Sequence, residues 1–155
     1  MNSDRMNKWL TLGANMGVLL GIILLVIELN QNRDMMRAQI RNEMATEIIG
    51  MLSDIAYSPE FASVFNRGVA GEELTPDEAT QFQMRAFALF RYFENVHYQY
   101  RQGLYDESEF ATQKIAWTNA LSSKRVSRLW CGYRNSISVE AREAIDELLS
   151  DRECD

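Results

Sequence analysis

The chain has 155 residues, 46% of them hydrophobic and 25% charged, a normal balance for a globular protein. Its net charge of −6 argues against a general nucleic-acid binder, whose footprint would be basic. With one histidine and two cysteines, the chain offers no zinc ligand set, phosphate loop or Ser–His–Asp constellation, so no metal and no cofactor is expected.

In chain order, a short tail (1–8) precedes the one long apolar stretch, Trp9 to Ile27, which holds no ionisable residue. At about 1.5 Å per residue this stretch crosses the roughly 30 Å hydrocarbon core of a bilayer. It outlasts a typical signal-peptide core and ends in Glu28-Leu29-Asn30-Gln31-Asn32, without a small-x-small cleavage site. The prediction is an uncleaved transmembrane helix over 9–29 that continues into a helical bundle domain over 30–155. Gly13, Gly17 and Gly21 follow one another at i, i+4 and i+8, a glycine zipper that leaves a side-chain-free groove for a second helix. A homo-oligomer in contact with membrane lipid is therefore expected. Glu28 falls on the same stripe at the hydrocarbon edge and is a candidate pore or boundary carboxylate. Arg33, Arg37 and Arg41, spaced by four, offer contacts to anionic headgroups, or else pair with Asp34 and Glu43 on a solvated face.

Arg5, Lys8 and the amino terminus precede the span, and Arg33, Arg37 and Arg41 follow it. Lysine and arginine counts give a slight excess on the C-terminal side, which predicts an inner-membrane protein with its bulk domain in the cytoplasm. Cys131 and Cys154 make no disulfide framework, and Cys154 sits in the last two residues, where order is usually poor. No stable bridge is expected, which fits a reducing compartment.

Strand alternation and hairpin turns are absent, so the fold class is all-α. The first helix should end at Tyr57, before Ser58-Pro59. A short helix from Pro59 to about Arg67 should follow, then a loop over Gly68-Val69-Ala70-Gly71. Thr75-Pro76-Asp77-Glu78 is a capping box with proline at the first helical position. It opens a helix carrying Phe82, Phe90, Phe93, Val96 and Tyr100 that stops at Gly103. Asp106 with Glu109 opens the next, holding Phe110, Ile115, Trp117 and Leu121. Ser122 or Ser123 starts another with Val126, Leu129 and Trp130, and Ser138 caps a last helix with Ala141, Ala144, Ile145, Leu148 and Leu149. Methionines 35, 36, 44, 51 and 84 read as adaptable packing. The aromatics Tyr92, Phe93, Tyr98, Tyr100 and Tyr105 read as core and seam.

The segment Arg91-Tyr92-Phe93-Glu94-Asn95-Val96-His97 holds the only histidine. Its arginine and histidine resemble the Arg-x4-6-His motif of HEPN ribonucleases. That resemblance implies acid–base chemistry on an RNA backbone by Arg91 and His97 at a dimer interface. Glu94 and His97 also match one half of a di-iron Glu-x-x-His site, but no second histidine completes it. The plainer reading is an Arg91–Glu94 ion pair beside a hydrogen-bonded bundle histidine.

Trp9 to Val18 through Glu28-Leu29-Asn30-Gln31-Asn32, together with His97-Tyr98-Gln99-Tyr100-Arg101-Gln102-Gly103-Leu104 and Asp106-Glu107, resemble an uncharacterised family of short bacterial proteins. The resemblance implies one N-terminal membrane helix and a helical cytoplasmic domain, and no activity or catalytic residues. A looser likeness in layout, with the Arg91/His97 spacing, is to the membrane accessory protein of type VI-B CRISPR systems, which forms a ring-shaped pore. The expected function is a single-pass, self-associating membrane protein whose bundle mediates assembly or partner binding without catalysis. The alternatives are an oligomeric membrane pore or defence effector, and a membrane-tethered HEPN-like ribonuclease.

Overall fold

The computed structural model describes residues 3–149 and Cys154. Among these, six α-helices and one 3-10 turn account for the regular structure: α1 Ser3–Tyr57, α2 Pro59–Ala70, α3 Pro76–Arg101, α4 Glu107–Leu121, α5 Lys124–Tyr133, the 3-10 turn Arg134–Ser136 and α6 Val139–Asp146. No strand occurs among the described residues, so the protein is all-α, with a long apolar N-terminal helix leading into a helical bundle. Helix α1 already includes Ser3–Lys8, where the sequence suggested a tail. The chain divides into two compact units, Met1–Gln39 and Ile40–Asp155, and α1 runs through the boundary.

Helix ends follow the local chemistry of the chain. Ser58 leaves helical geometry before Pro59 and accepts a hydrogen bond from the Phe61 N–H at 3.2 Å, so one residue ends α1 and caps α2. At the start of α3 the Thr75 hydroxyl accepts from the Glu78 N–H at 3.4 Å, and Glu78 accepts from the Thr75 N–H at 2.9 Å. This reciprocal pair is the expected capping box. Glu78 also pairs with Arg67, tying the end of α2 to the start of α3. Asp106 caps α4 through the Glu109 N–H at 3.0 Å. Gly103, at φ 68°, closes α3: its N–H reaches the Tyr100 carbonyl at 2.9 Å and that of Leu104 reaches Gln99 at 3.0 Å.

Several expectations are corrected. Helix α2 runs to Ala70, not Arg67, and the left-handed stop is Gly71 at φ 81°, with Glu72 N–H on the Arg67 carbonyl at 2.9 Å. Gly68 is thus helical and buried. A Cβ there would lie 2.3 Å from a ring carbon of Phe82, so its bareness serves the close approach of α2 to α3 and not a loop. Ser123 and Ser138 do not cap with their side chains. The Ser123 hydroxyl donates to the Val69 carbonyl at 3.0 Å, and the Ser138 N–H donates to Glu94 Oε1 at 2.8 Å, which ties the start of α6 to α3. Ile115, Tyr98, Met35, Met36 and Met84 are exposed, whereas Met44 is buried and Met51 packs against the core. Cys131 and Cys154 form a disulfide, contrary to the expectation from Cys154's place at the chain end. Leu148, Leu149 and Cys154 all pack against the core.

The core of the second unit is built around α3, which packs against α2, α4, α5 and α6. Phe82, Ala86, Phe90, Phe93, Val96 and His97 recur on it at helical spacing and are all buried. Phe93 stacks on Trp117 with centroids 4.8 Å apart, and Phe90 meets Trp130 edge-on at 5.2 Å. The eight-residue α6 is too short to persist alone. Ala141 and Ile145 anchor it with no exposed surface. The Trp130 indole N–H donates to Asp146 Oδ1 at 2.8 Å, and Arg134 pairs with the other carboxylate oxygen.

Candidate functional site

In the first unit, every residue from Ser3 to Gln39 is helical and exposed. The helical geometry places Gly13, Gly17, Gly21 and Glu28 within about 80° of one another around the axis. A Cβ added at any of the three glycines meets nothing within 4 Å, so the groove is open along its length. Glu28 is exposed on the same stripe.

Arg33 is exposed, and Arg37 stands 3.9 Å from Asp34, the neighbour expected for it. In the second unit Arg41 pairs not with Glu43 but with Glu109 at the start of α4, at 2.7 Å. Both arginines keep much of their side chains in solvent.

Arg91 and His97 diverge on α3. Six residues of helix rotate them to about 120° apart. Arg91 lies in solvent, paired with Glu94 as the plainer reading anticipated. His97 is buried, its ring 5.8 Å from that of Phe110. Burial pushes the imidazole pKa down, Arg101 and Lys114 add to the effect, and Glu140 opposes it. A neutral, buried imidazole turned away from an engaged arginine does not make an acid–base pair within one chain. Among the described residues no group of three or more His, Cys, Asp or Glu side chains could hold a metal ion, and Glu94 is committed to Arg91 and Ser138.

One feature of the second unit lies outside all of these candidates. A cavity of about 560 Å³ opens between the last turns of α1, helices α2 and α3, and the α4–α5 junction. Its wall is mostly apolar, with Phe65, Phe82, Leu89 and Val126 among the lining groups. Arg85 is the one charged residue among its described lining residues. The arginine side chain is only 14% exposed. Its N–H groups reach Asp54 Oδ2 at 3.4 Å and the Met51 carbonyl. Desolvation pushes its pKa below the usual arginine value, with Asp54 opposing. The signal for this site is present in the sequence: Phe82, Arg85, Ala86 and Leu89 stand at i, i+3, i+4 and i+7, which seats a cation on the apolar stripe of α3.

The structure thus defines an all-α protein that has, among its described residues, one helix long and apolar enough to cross a membrane, and a bundle with an apolar cavity whose described lining holds a single cation. No protein-family model, no curated protein and no solved structure matches the chain.

Proposed function

We propose that this is a single-pass membrane protein that self-associates through Gly13, Gly17 and Gly21 and uses its helical bundle for assembly or partner binding, without catalysis. One observation carries the reading. An 18-residue window of α1 has mean hydropathy 2.4, and none of it is buried within the chain. A core helix of a soluble protein would be covered by its own bundle, and a soluble monomer rarely leaves so long an apolar surface in water. A bilayer accepts it, and in a bilayer the bare glycine stripe is where two helices gain most by close approach. Glu28 on that stripe favours a pore as the second reading of the same assembly.

The side of the membrane is a separate matter. Lysine and arginine are nearly balanced across the span, so charge decides little. The Cys131–Cys154 bridge supports placing the bundle on the oxidising face, because disulfides persist there and are reduced in the cytosol. This part of the proposal reverses the cytoplasmic placement expected from the charge count.

Membrane fractions washed with alkaline carbonate test the anchor. The full chain should stay in the pellet, and release into the supernatant would reject it. Protease added to intact spheroplasts should digest the bundle, and protection would return the bundle to the cytoplasm.

A further inference from the structure

The α1–α2–α3–α5 cavity joins a mostly apolar lining to one largely buried cation, Arg85. Removing a guanidinium from water costs free energy that is recovered only through a close, buried counter-ion or a full set of hydrogen bonds. Arg85 has neither. Asp54, its one carboxylate partner among the described residues, has a side chain 71% exposed at a distance of 3.4 Å, a screened contact of small value. The Met51 carbonyl takes a second donor, and the donors left over keep accessible surface, since no Arg85 nitrogen is both buried and unpartnered. The nearby hydroxyls are otherwise engaged: Ser122 donates to the Asn119 carbonyl at 2.6 Å and Ser123 to Val69. The cavity therefore presents a long apolar wall and one planar cation whose remaining donors are accessible.

We propose that this cavity binds a single-chain fatty acid, with its carboxylate on Arg85 and its chain along Phe65, Phe82, Leu89 and Val126. Charge complementarity selects an anionic head, and the planar fork matches a carboxylate in two-point contact. The volume admits one chain. Taking about 30 Å³ per carbon-sized group, the share of one water in the liquid, sixteen to eighteen carbons need about 480–540 Å³. That fits within about 560 Å³. Leu52 lines the cavity and is 58% exposed, which places it at the open side where a chain could enter. The proposal goes beyond the assembly reading and does not depend on it.

The test uses the full chain in phosphatidylcholine nanodiscs, with a fluorescent eighteen-carbon polyene fatty acid as probe, the same polyene as its alcohol, and empty discs as the partitioning blank. Wild type should bind the acid saturably at one per chain above the blank. Arg85→Gln should weaken the acid by about tenfold or more, the worth of a charge-assisted contact, and leave the alcohol unchanged. Leu52→Trp, at an exposed position that tolerates size, should weaken both. Thermal melts of the three proteins establish that each variant is folded. No saturable binding above the blank would overturn the proposal, as would equal acid affinity in wild type and Arg85→Gln. Equal loss of acid and alcohol in Arg85→Gln would also overturn it, since the head group would then play no part.

Discussion

Two glycine-to-alanine substitutions in the second unit should have opposite effects. Gly50 lies in α1 and Gly68 in α2, and both are helical. Alanine in a helix interior is favoured over glycine by about 1 kcal/mol because the unfolded chain loses less freedom. At Gly50 a Cβ meets nothing within 4 Å, so that gain should appear in full. At Gly68 the new Cβ would stand 2.3 and 2.4 Å from two ring carbons of Phe82, a side chain only 2% exposed. The ring is hemmed in by the core, including Phe65 at 6.1 Å between centroids, so α2 and α3 must separate. Overpacking of this kind costs about 3 kcal/mol at its upper range. Subtracting the helix gain leaves Gly68→Ala about 2 kcal/mol less stable and Gly50→Ala about 1 kcal/mol more stable. For a unit of this size about 4 °C accompanies each kcal/mol. The expected shifts in a thermal melt of the full chain in detergent are thus about −8 °C and +4 °C. Shifts of the same sign would refute the close approach of α2 to α3.

Trp130→Phe should destabilise more than Trp117→Phe, by about 2 kcal/mol, because both indoles are fully buried but only Trp130 donates to a carboxylate. Equal losses in urea unfolding would contradict that network. His97 has a lowered pKa in the fold, so the unfolded chain binds the extra proton. Stability should then fall as pH drops below the unfolded value of about 6.5, down to the lowered folded value. His97→Gln should lose less stability than wild type between pH 7 and 5.5; identical losses would exclude His97 as the cause. The bridge closes a segment with a sequence separation of 23, for which chain entropy gives about 3 kcal/mol. Reductant should therefore lower the wild-type melting temperature and leave Cys154→Ser unchanged, and a wild type indifferent to reductant would count against the bridge.

The parts of the fold that were legible in the sequence are those fixed by local chemistry. Pro59 and Pro76 with their preceding caps, Asp106 with Glu109, and Gly103 each act within four residues of themselves, and each helix end stands where those residues put it. What was hidden depends on residues distant in the chain. Gly68 reads as a loop residue until Phe82 is seen against it. Ser138 reads as a side-chain cap, and nothing local shows that its N–H instead reaches Glu94, 44 residues away. Cys154 reads as a loose end because its partner is brought near by the folding of α5 and α6. The shared helix face of Gly13, Gly17 and Gly21 was legible, since it needs only helical periodicity. The Arg85 cavity was half legible: the stripe on α3 shows a cation among apolar residues, but the walls come from four other helices.

The central claim, self-association through the glycine face in a membrane, is tested most directly by the mass of the particle. Light scattering corrected for bound detergent should give wild type a protein mass that is a multiple of 17.9 kDa. Gly17→Leu fills the groove and should shift that mass toward a single chain. Val18→Leu, about 100° away around the helix, should leave it unchanged. A wild-type particle of one chain, or equal masses for wild type and Gly17→Leu, would contradict the account.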